Sequence, residues 1–488
     1  MRVLQVSAEL VPLVKTGGLA DVTGALPAAL NAAGADTRLL LPGFPAFRES
    51  LTHETAVAAL ALPWGEGTAS LLRGRLAGHG LTPVYLLDAP ALFERPGNPY
   101  ADAAGLAYPD NHRRFALLGL AAARLAEGID PDWLPEIVHA HDWHAALACA
   151  HLAASRARGL AQAQSVYTVH NLAYQGLFGF SLFSELGLPP AQWAVEGVEF
   201  FGQVSFMKAG LQFADAITTV SPSYAREIQT PEQGCGLDGL LRHRAGVLHG
   251  ILNGVDGKIW SPDHDRSIAQ AYSLARPEGK ADCKAALQRE CGLALAPGAP
   301  LFGIVSRLTE QKGLPLVAQA LPELLAAGAQ LVVLGSGDAQ LDGVFADAAA
   351  RHPQQIARRT GMDEGLAHRI FAGSDVVLVP SRFEPCGLTQ MYGLAYGALP
   401  LVHRVGGLAD TVVDCSLEDL AAGSATGFVF DGFSVDAFRR ALRRALALWN
   451  RPEEWAGVRA TAMRQRFSWE DAARRYVEVY RGLAARAQ

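Results

Sequence analysis

The sequence predicts an α/β protein made of two similar βαβ halves with parallel sheets, and three observations carry that expectation. Short apolar runs alternate with alanine- and leucine-rich stretches of helical spacing almost throughout, the pattern of βαβ units. At 488 residues the chain exceeds what one simple core serves. The alternation also restarts midway, after a break rich in Gly, Pro and Asp. With 50% hydrophobic and 18% charged residues, the composition is that of a compact globular protein without disordered tracts.

In the first half, β-branched and leucine-rich runs predict strands at 3–7, 38–41, 83–87, 136–140, 165–169 and 216–220. The break holds Val247-Leu248-His249-Gly250-Ile251-Leu252-Asn253-Gly254-Val255-Asp256 and Trp260-Ser261-Pro262-Asp263-His264-Asp265. Strands at 301–306, 330–334, 375–380, 399–402 and 427–430 follow. We therefore expect an N-terminal domain over 1–248, a C-terminal domain over 249–465, and a final helix over 466–488 packing back toward the N-terminal domain. Ser468 and Asp471 have the spacing of a capping box at the start of that helix. Ligands of open parallel sheets bind beyond the carboxyl ends of the strands, so two such halves facing each other predict one cleft.

Composition removes several function classes. A formal net charge of −6 without a basic cluster argues against nucleic acid as the partner. No run of about 18 or more apolar residues predicts a membrane span. Six cysteines without a CxxC pair or zinc-ligand spacing read as reduced thiols, which with no recognisable targeting segment makes the cytoplasm the expected compartment. There is no GxxxxGK[ST] loop, and Gly335-Ser336-Gly337-Asp338-Ala339-Gln340 fails the dinucleotide fingerprint at its last position. Kinase and dehydrogenase readings lose their main support.

The first strand runs into Val14-Lys15-Thr16-Gly17-Gly18-Leu19-Ala20-Asp21-Val22, with a helix expected from Ala25. Strand, glycine pair and helix make an anion site, because backbone N–H groups and a lysine can approach a bound group. Taken alone, the loop favours an ordinary βα turn with a surface lysine, and composition shifts the odds. The chain holds six lysines against 36 arginines, and two of the six, Lys15 and Lys312, stand beside glycines after predicted strands. Gly406-Gly407-Leu408-Ala409-Asp410-Thr411 echoes the opening loop in the second half.

Four further segments carry chemistry. His139-Ala140-His141-Asp142-Trp143-His144 ends a strand; its order departs from metallo-hydrolase spacing, so Asp142 reads as a wall residue for hydroxyl groups and no metal is expected. Tyr167-Thr168-Val169-His170-Asn171 ends another, leaving His170 either a satisfied buried histidine or a donor to a substrate hydroxyl. Ser306-Arg307-Leu308-Thr309-Glu310-Gln311-Lys312-Gly313 brings two cations to a strand end, which suits a diphosphate leaving group. Ser381-Arg382-Phe383-Glu384-Pro385-Cys386-Gly387-Leu388-Thr389-Gln390 adds a carboxylate for sugar hydroxyls, and N–H groups of Gly387, Leu388 and Thr389 for phosphate at a helix start. Cys386 lacks the partners of a nucleophile.

Taken together, KTGGLADV (15–22), RPGNPY (95–100), HAHDWH (139–144), YTVHNLAYQG (167–176), GILNGVD (250–256), SRLTEQKG (306–313), SRFEPCGLTQMYGLAYG (381–397) and GGLADT (406–411) closely resemble the bacterial glycogen synthase and plant starch synthase family. The resemblance implies the two-domain GT-B fold and retaining transfer of glucose from ADP-glucose to the non-reducing-end 4-hydroxyl of an α-1,4-glucan, with no cofactor. It implies that Lys15, Arg307 and Lys312 bind the diphosphate, with Gly17 and Gly18 in the same loop. Glu384 would hold the glucose, with Cys386, Gly387, Leu388 and Thr389 forming the donor turn. His170 would contact the glucose near its 6-hydroxyl, and Asp21, Tyr100, Asp142 and Asn253 would line the donor and acceptor sides. The family's base-stacking aromatic is replaced here by Met362, whose thioether contacts a ring more loosely. Use of UDP-glucose or of both donors, a phosphorylase or sugar-nucleotide epimerase on the same fold, and an inactive glucan-binding homologue are the alternatives.

Overall fold

The computed structural model describes residues 1–486 except 66, 79 and 81. The chain divides into two compact units, one formed by Met1–Gly254 with Trp469–Gln488 and the other by Val255–Ser468.

In the first unit, strands β1 (Arg2–Val6), β2 (Asp36–Pro42), β3 (Leu51–Ala61), β4 (Thr68–Leu76), β5 (Val84–Asp88), β6 (Ile137–His141) and β7 (Gln164–Val169) share one sheet with two later strands, β11 (Ala216–Thr219) and β12 (Leu248–Gly250). A separate three-stranded sheet holds β8 (Leu177–Gly179), β9 (Glu199–Phe200) and β10 (Gln203–Ser205). The order of the large sheet is β12-β11-β7-β6-β1-β2-β5-β4-β3. It is parallel from β12 to β5, and Val3, Leu4 and Val6 of β1 are fully buried, as expected where helices cover both faces. The strand order reverses around β1, which lies between β6 and β2, so the loops leaving β1 and β6 flank the switch point.

Two findings depart from expectation here. The pair β3–β4 is an antiparallel extension that the strand pattern did not suggest, because the alanine-rich Thr55-Ala56-Val57-Ala58-Ala59-Leu60-Ala61 lacks the apolar–polar alternation of a strand. The first helix starts at Gly18, not Ala25, and runs to Ala32 through Pro27. Its buried residues Leu19, Val22, Leu26 and Leu30 keep helical spacing from the glycine pair onward, so Asp21 sits in a first helical turn rather than in a loop. Leu26 and Leu30 share a core with Ala473, Tyr476 and Tyr480 of the final helix, Trp469–Arg486.

The second unit carries β13 (Leu301–Val305), β14 (Gln330–Gly335), β15 (Ile356–Thr360), β16 (Val376–Val379), β17 (Leu399–His403) and β18 (Phe428–Phe430), all parallel, in the order β15-β14-β13-β16-β17-β18. Its switch point lies between β13 and β16. The loop after β13 carries Arg307 and Lys312, and the loop after β16 carries Glu384. Among the described residues no helix is long and apolar enough to cross a membrane.

Candidate active site

At the first unit's switch point, the chain leaving β1 passes Glu9, which is 3% exposed. Its carboxylate accepts hydrogen bonds from Thr16 N at 2.7 Å, Thr16 Oγ1 at 2.6 Å and Tyr100 Oη at 2.6 Å. Sequence reasoning singles out no role for Glu9, because no local pattern marks it. Next in the loop, Lys15 Nζ donates to Asp21 Oδ1 at 2.7 Å. A Cβ placed on Gly17 or Gly18 would meet nothing within 4 Å, and Gly17 is extended, with φ −163°. The fold therefore does not demand glycine at these positions. Among the described residues no side chain caps the helix that starts at Gly18, so the glycines leave open space at its N-terminus.

The chain leaving β6 turns sharply at Asp142, whose φ of +60° is unusual for a residue with a side chain. Burial raises the Asp142 carboxyl well above the usual carboxylate range, against the bond it accepts from Trp143 N at 3.0 Å. The Tyr100 ring stacks on His144 at 5.0 Å, joining this turn to Glu9. His139 lies between Tyr480 Oη at 2.7 Å and Thr168 Oγ1 at 2.6 Å. His141 Nδ1 meets His170 Nε2 at 3.1 Å, so one ring donates and the other accepts. Burial pushes His139, His144 and His170 down to about 3, which keeps them neutral near neutral pH. Among the described residues, no three His, Cys, Asp or Glu side chains are grouped to hold a metal ion. Beyond β12, Asn253 Oδ1 is buried with no hydrogen-bond partner among the described residues, leaving an acceptor available.

The second unit's switch point is assembled by close backbone packing. Gly313 has φ +69°, and a Cβ there would lie 1.9 Å from Pro380 O, so only glycine fits. Arg382 N donates to Gln311 O at 2.8 Å, tying the two loops together. This contact places Lys312 Nζ 2.6 Å from Glu384 Oε2, the oxygen that also accepts from Ser381 Oγ at 2.8 Å. Gly406 and Gly407 clamp the other side of the turn: a Cβ on Gly406 would lie 2.0 Å from Glu384 O, and Gly407 N donates to that oxygen at 3.1 Å. The echo of the opening loop is thus a backbone seat for Glu384. Cys386 is buried, and Leu388 begins the helix Thr389–Tyr396 without a side-chain cap. Arg307 is exposed, and its guanidinium has no partner among the described residues, so it stands apart from the Lys312–Glu384 pair. Met362 is 81% exposed, just before the helix Glu364–Gly373.

Comparison with known proteins gives a consistent picture. Residues 2–243 match the family model described as starch synthase catalytic domain, and residues 292–457 match glycosyl transferases group 1. The chain is 60% identical over 487 residues to a glycogen synthase of Variovorax paradoxus, covering 99% of this chain and 98% of that protein. It is 56% identical over 485 residues to a glycogen synthase of Francisella tularensis subsp. novicida, covering 99% of each. Among solved structures it is similar to the catalytic domain of starch synthase IV from Arabidopsis thaliana bound to ADP and acarbose, with TM-score 0.88, 30% identity and 99% of each chain covered. A sucrose-phosphate synthase from Thermosynechococcus elongatus shares the fold, with TM-score 0.59 and 18% identity.

Proposed function

The chain belongs to the glycogen and starch synthase family of glycosyltransferases, and from that premise we propose that it transfers glucose from ADP-glucose to the non-reducing-end 4-hydroxyl of an α-1,4-glucan, with retention and release of ADP. The observation that carries the residue assignments is the second unit's switch point, where a lysine–carboxylate pair and, among the described residues, an unpartnered guanidinium and an uncapped helix start occupy two adjoining loops. ADP as donor nucleotide is supported by the ADP bound to the Arabidopsis starch synthase. Six free thiols accord with a cytoplasmic site for the reaction.

In this reading Lys15, Arg307 and Lys312 bind the diphosphate, helped by the open N–H groups behind Gly17–Gly18 and at Gly387, Leu388 and Thr389. Glu384 accepts from hydroxyls of the transferred glucose, Met362 lies against the base, and neutral His170, held by His141, donates near the 6-hydroxyl. Asp21 and Asn253 line the donor side; Tyr100 and Asp142 line the acceptor side. The bond from glucose C1 to the phosphate oxygen breaks as the acceptor O4–C1 bond forms on the same face. The departing phosphate oxygen takes the O4 proton, and Arg307 and Lys312 stabilise its charge. The raised Asp142 carboxyl suits a residue that positions hydroxyls better than one that attacks carbon.

The test compares nucleotide release from ADP-glucose and UDP-glucose with glycogen as acceptor, with and without EDTA. The reading predicts release of ADP in preference to UDP, insensitive to EDTA. No glucan-dependent nucleotide release with either donor, or glucose trapped as an ester on Glu384 or Asp142, would overturn it.

A further inference from the structure

We propose that Glu9 is a positioning residue that couples the acceptor side of the site to the loop carrying Lys15, an inference that rests on the glucosyl-transfer reading above. Its backbone is fixed from two directions: Glu9 N donates to Ser7 Oγ at 3.2 Å, and Glu9 O accepts from Thr23 Oγ1 of the first helix at 2.6 Å. The carboxylate is therefore a rigid hub at the end of β1.

Two kinds of group converge on that hub. Thr16, between Lys15 and Gly17, gives both its N–H and its hydroxyl, so the carboxylate sets the position of the residues on either side. Tyr100 gives its phenol proton, which burial and the Glu9 charge hold in place by raising the phenol well above its ordinary value. The Tyr100 ring lies flat on His144 and 6.0 Å from Trp143, the two residues that follow Asp142. A glucan seated against Tyr100 and Asp142 thus bears on the same carboxylate that orders the donor loop. Only an acceptor-only side chain takes three such donors at once. Glutamine has the same shape but one acceptor oxygen, and its NH₂ reverses the direction of the hydroxyl bonds.

The experiment measures ADP affinity by calorimetry with and without saturating maltotetraose, in the wild type, Glu9→Gln, Tyr100→Phe and the double variant. Transfer from ADP-glucose to glycogen is assayed in parallel. The proposal expects acceptor to tighten ADP binding by roughly 5-fold or more in the wild type. It expects a ratio near 1 in Glu9→Gln, and no further loss when Tyr100→Phe is added. Donor KM rises by about 10-fold in Glu9→Gln with kcat changed less, a split that mere loosening of the fold does not produce. A wild-type ratio of 1, or a ratio kept in Glu9→Gln, overturns the coupling while leaving glucosyl transfer intact. Absence of wild-type transfer overturns the underlying reading instead. Should Glu9→Gln fail to fold, Thr16→Val removes the hydroxyl half of the link and is read by the same ratio.

Discussion

Lys312 Nζ donates to Glu384 Oε2 at 2.6 Å, pairing within one unit the two side chains assigned to opposite ends of the donor's sugar–diphosphate. Both lie at the crevice of a parallel sheet, Lys312 on the loop after β13 and Glu384 on the loop after β16. When a diphosphate arrives, Lys312 must divide its three donors between Glu384 and phosphate, while Arg307 has no partner among the described residues to give up.

The Lys312→Ala variant therefore acts on the chemical step. With the leaving-group charge less stabilised, kcat should fall by about 100-fold or more, while the melting temperature moves by only a few degrees because the pair is partly solvated. Steady-state kinetics with thermal melts checks this. A variant that raises donor KM alone, with kcat retained, would place Lys312 in ground-state binding instead.

Glycines at the two switch points should respond in opposite ways. Gly313→Ala drives a Cβ to 1.9 Å from Pro380 O and should cost about 3 kcal/mol or more of stability. Gly17→Ala meets nothing within 4 Å and should change stability by less than about 0.5 kcal/mol while raising donor KM. Urea unfolding of both variants with donor kinetics separates a fold requirement from a ligand requirement.

The buried histidines make stability depend on acid. His139, His144, His151 and His170 are held at about 3 by burial, against about 6.5 in the unfolded chain. Between those values the unfolded state binds more protons, so stability is full above about pH 6.5 and is lost as pH falls toward 3. Each such group contributes a slope approaching about 1.4 kcal/mol per pH unit in that window. Denaturant unfolding at pH 6.5 and pH 5 checks the trend, and His151→Leu should lower the slope by one histidine's share.

How much of this was legible in the sequence depends on what each residue does. Lys15 and Lys312 stood out because lysine is scarce, and both are ion-paired beside the predicted glycines. Scarcity alone did not separate them from Lys208, Lys280 and Lys284, which are buried and donate to backbone carbonyls, where a compact ammonium with three donors fits and a planar guanidinium does not. The strand ends carrying His170, Arg307 and Glu384 were readable because buried parallel strands are short continuous apolar runs. Glu9 was not: a carboxylate bound to Thr16 and to Tyr100, 91 residues away, leaves no local pattern. The role of Gly406 and Gly407 was equally hidden, since it consists of contact with the Glu384 and Cys386 backbones.

Met362 gives a specificity prediction. The side chain is 81% exposed and presents no ring to a base, so the preference for adenine over uracil donors should be smaller than an aromatic residue at this position would give. Met362→Tyr should lower the KM for ADP-glucose by several-fold relative to that for UDP-glucose, since a base–aromatic stack is worth about 1–3 kcal/mol. Unchanged KM values for both donors would remove Met362 from the base site.

The central claim, retaining transfer of glucose with the diphosphate as leaving group, is tested most directly by proton NMR of the product formed from ADP-glucose and maltotriose. The account predicts maltotetraose with a new α-1,4 linkage, formed in step with one ADP per glucose. A β linkage, or ADP release with free glucose and no elongated glucan, would contradict it.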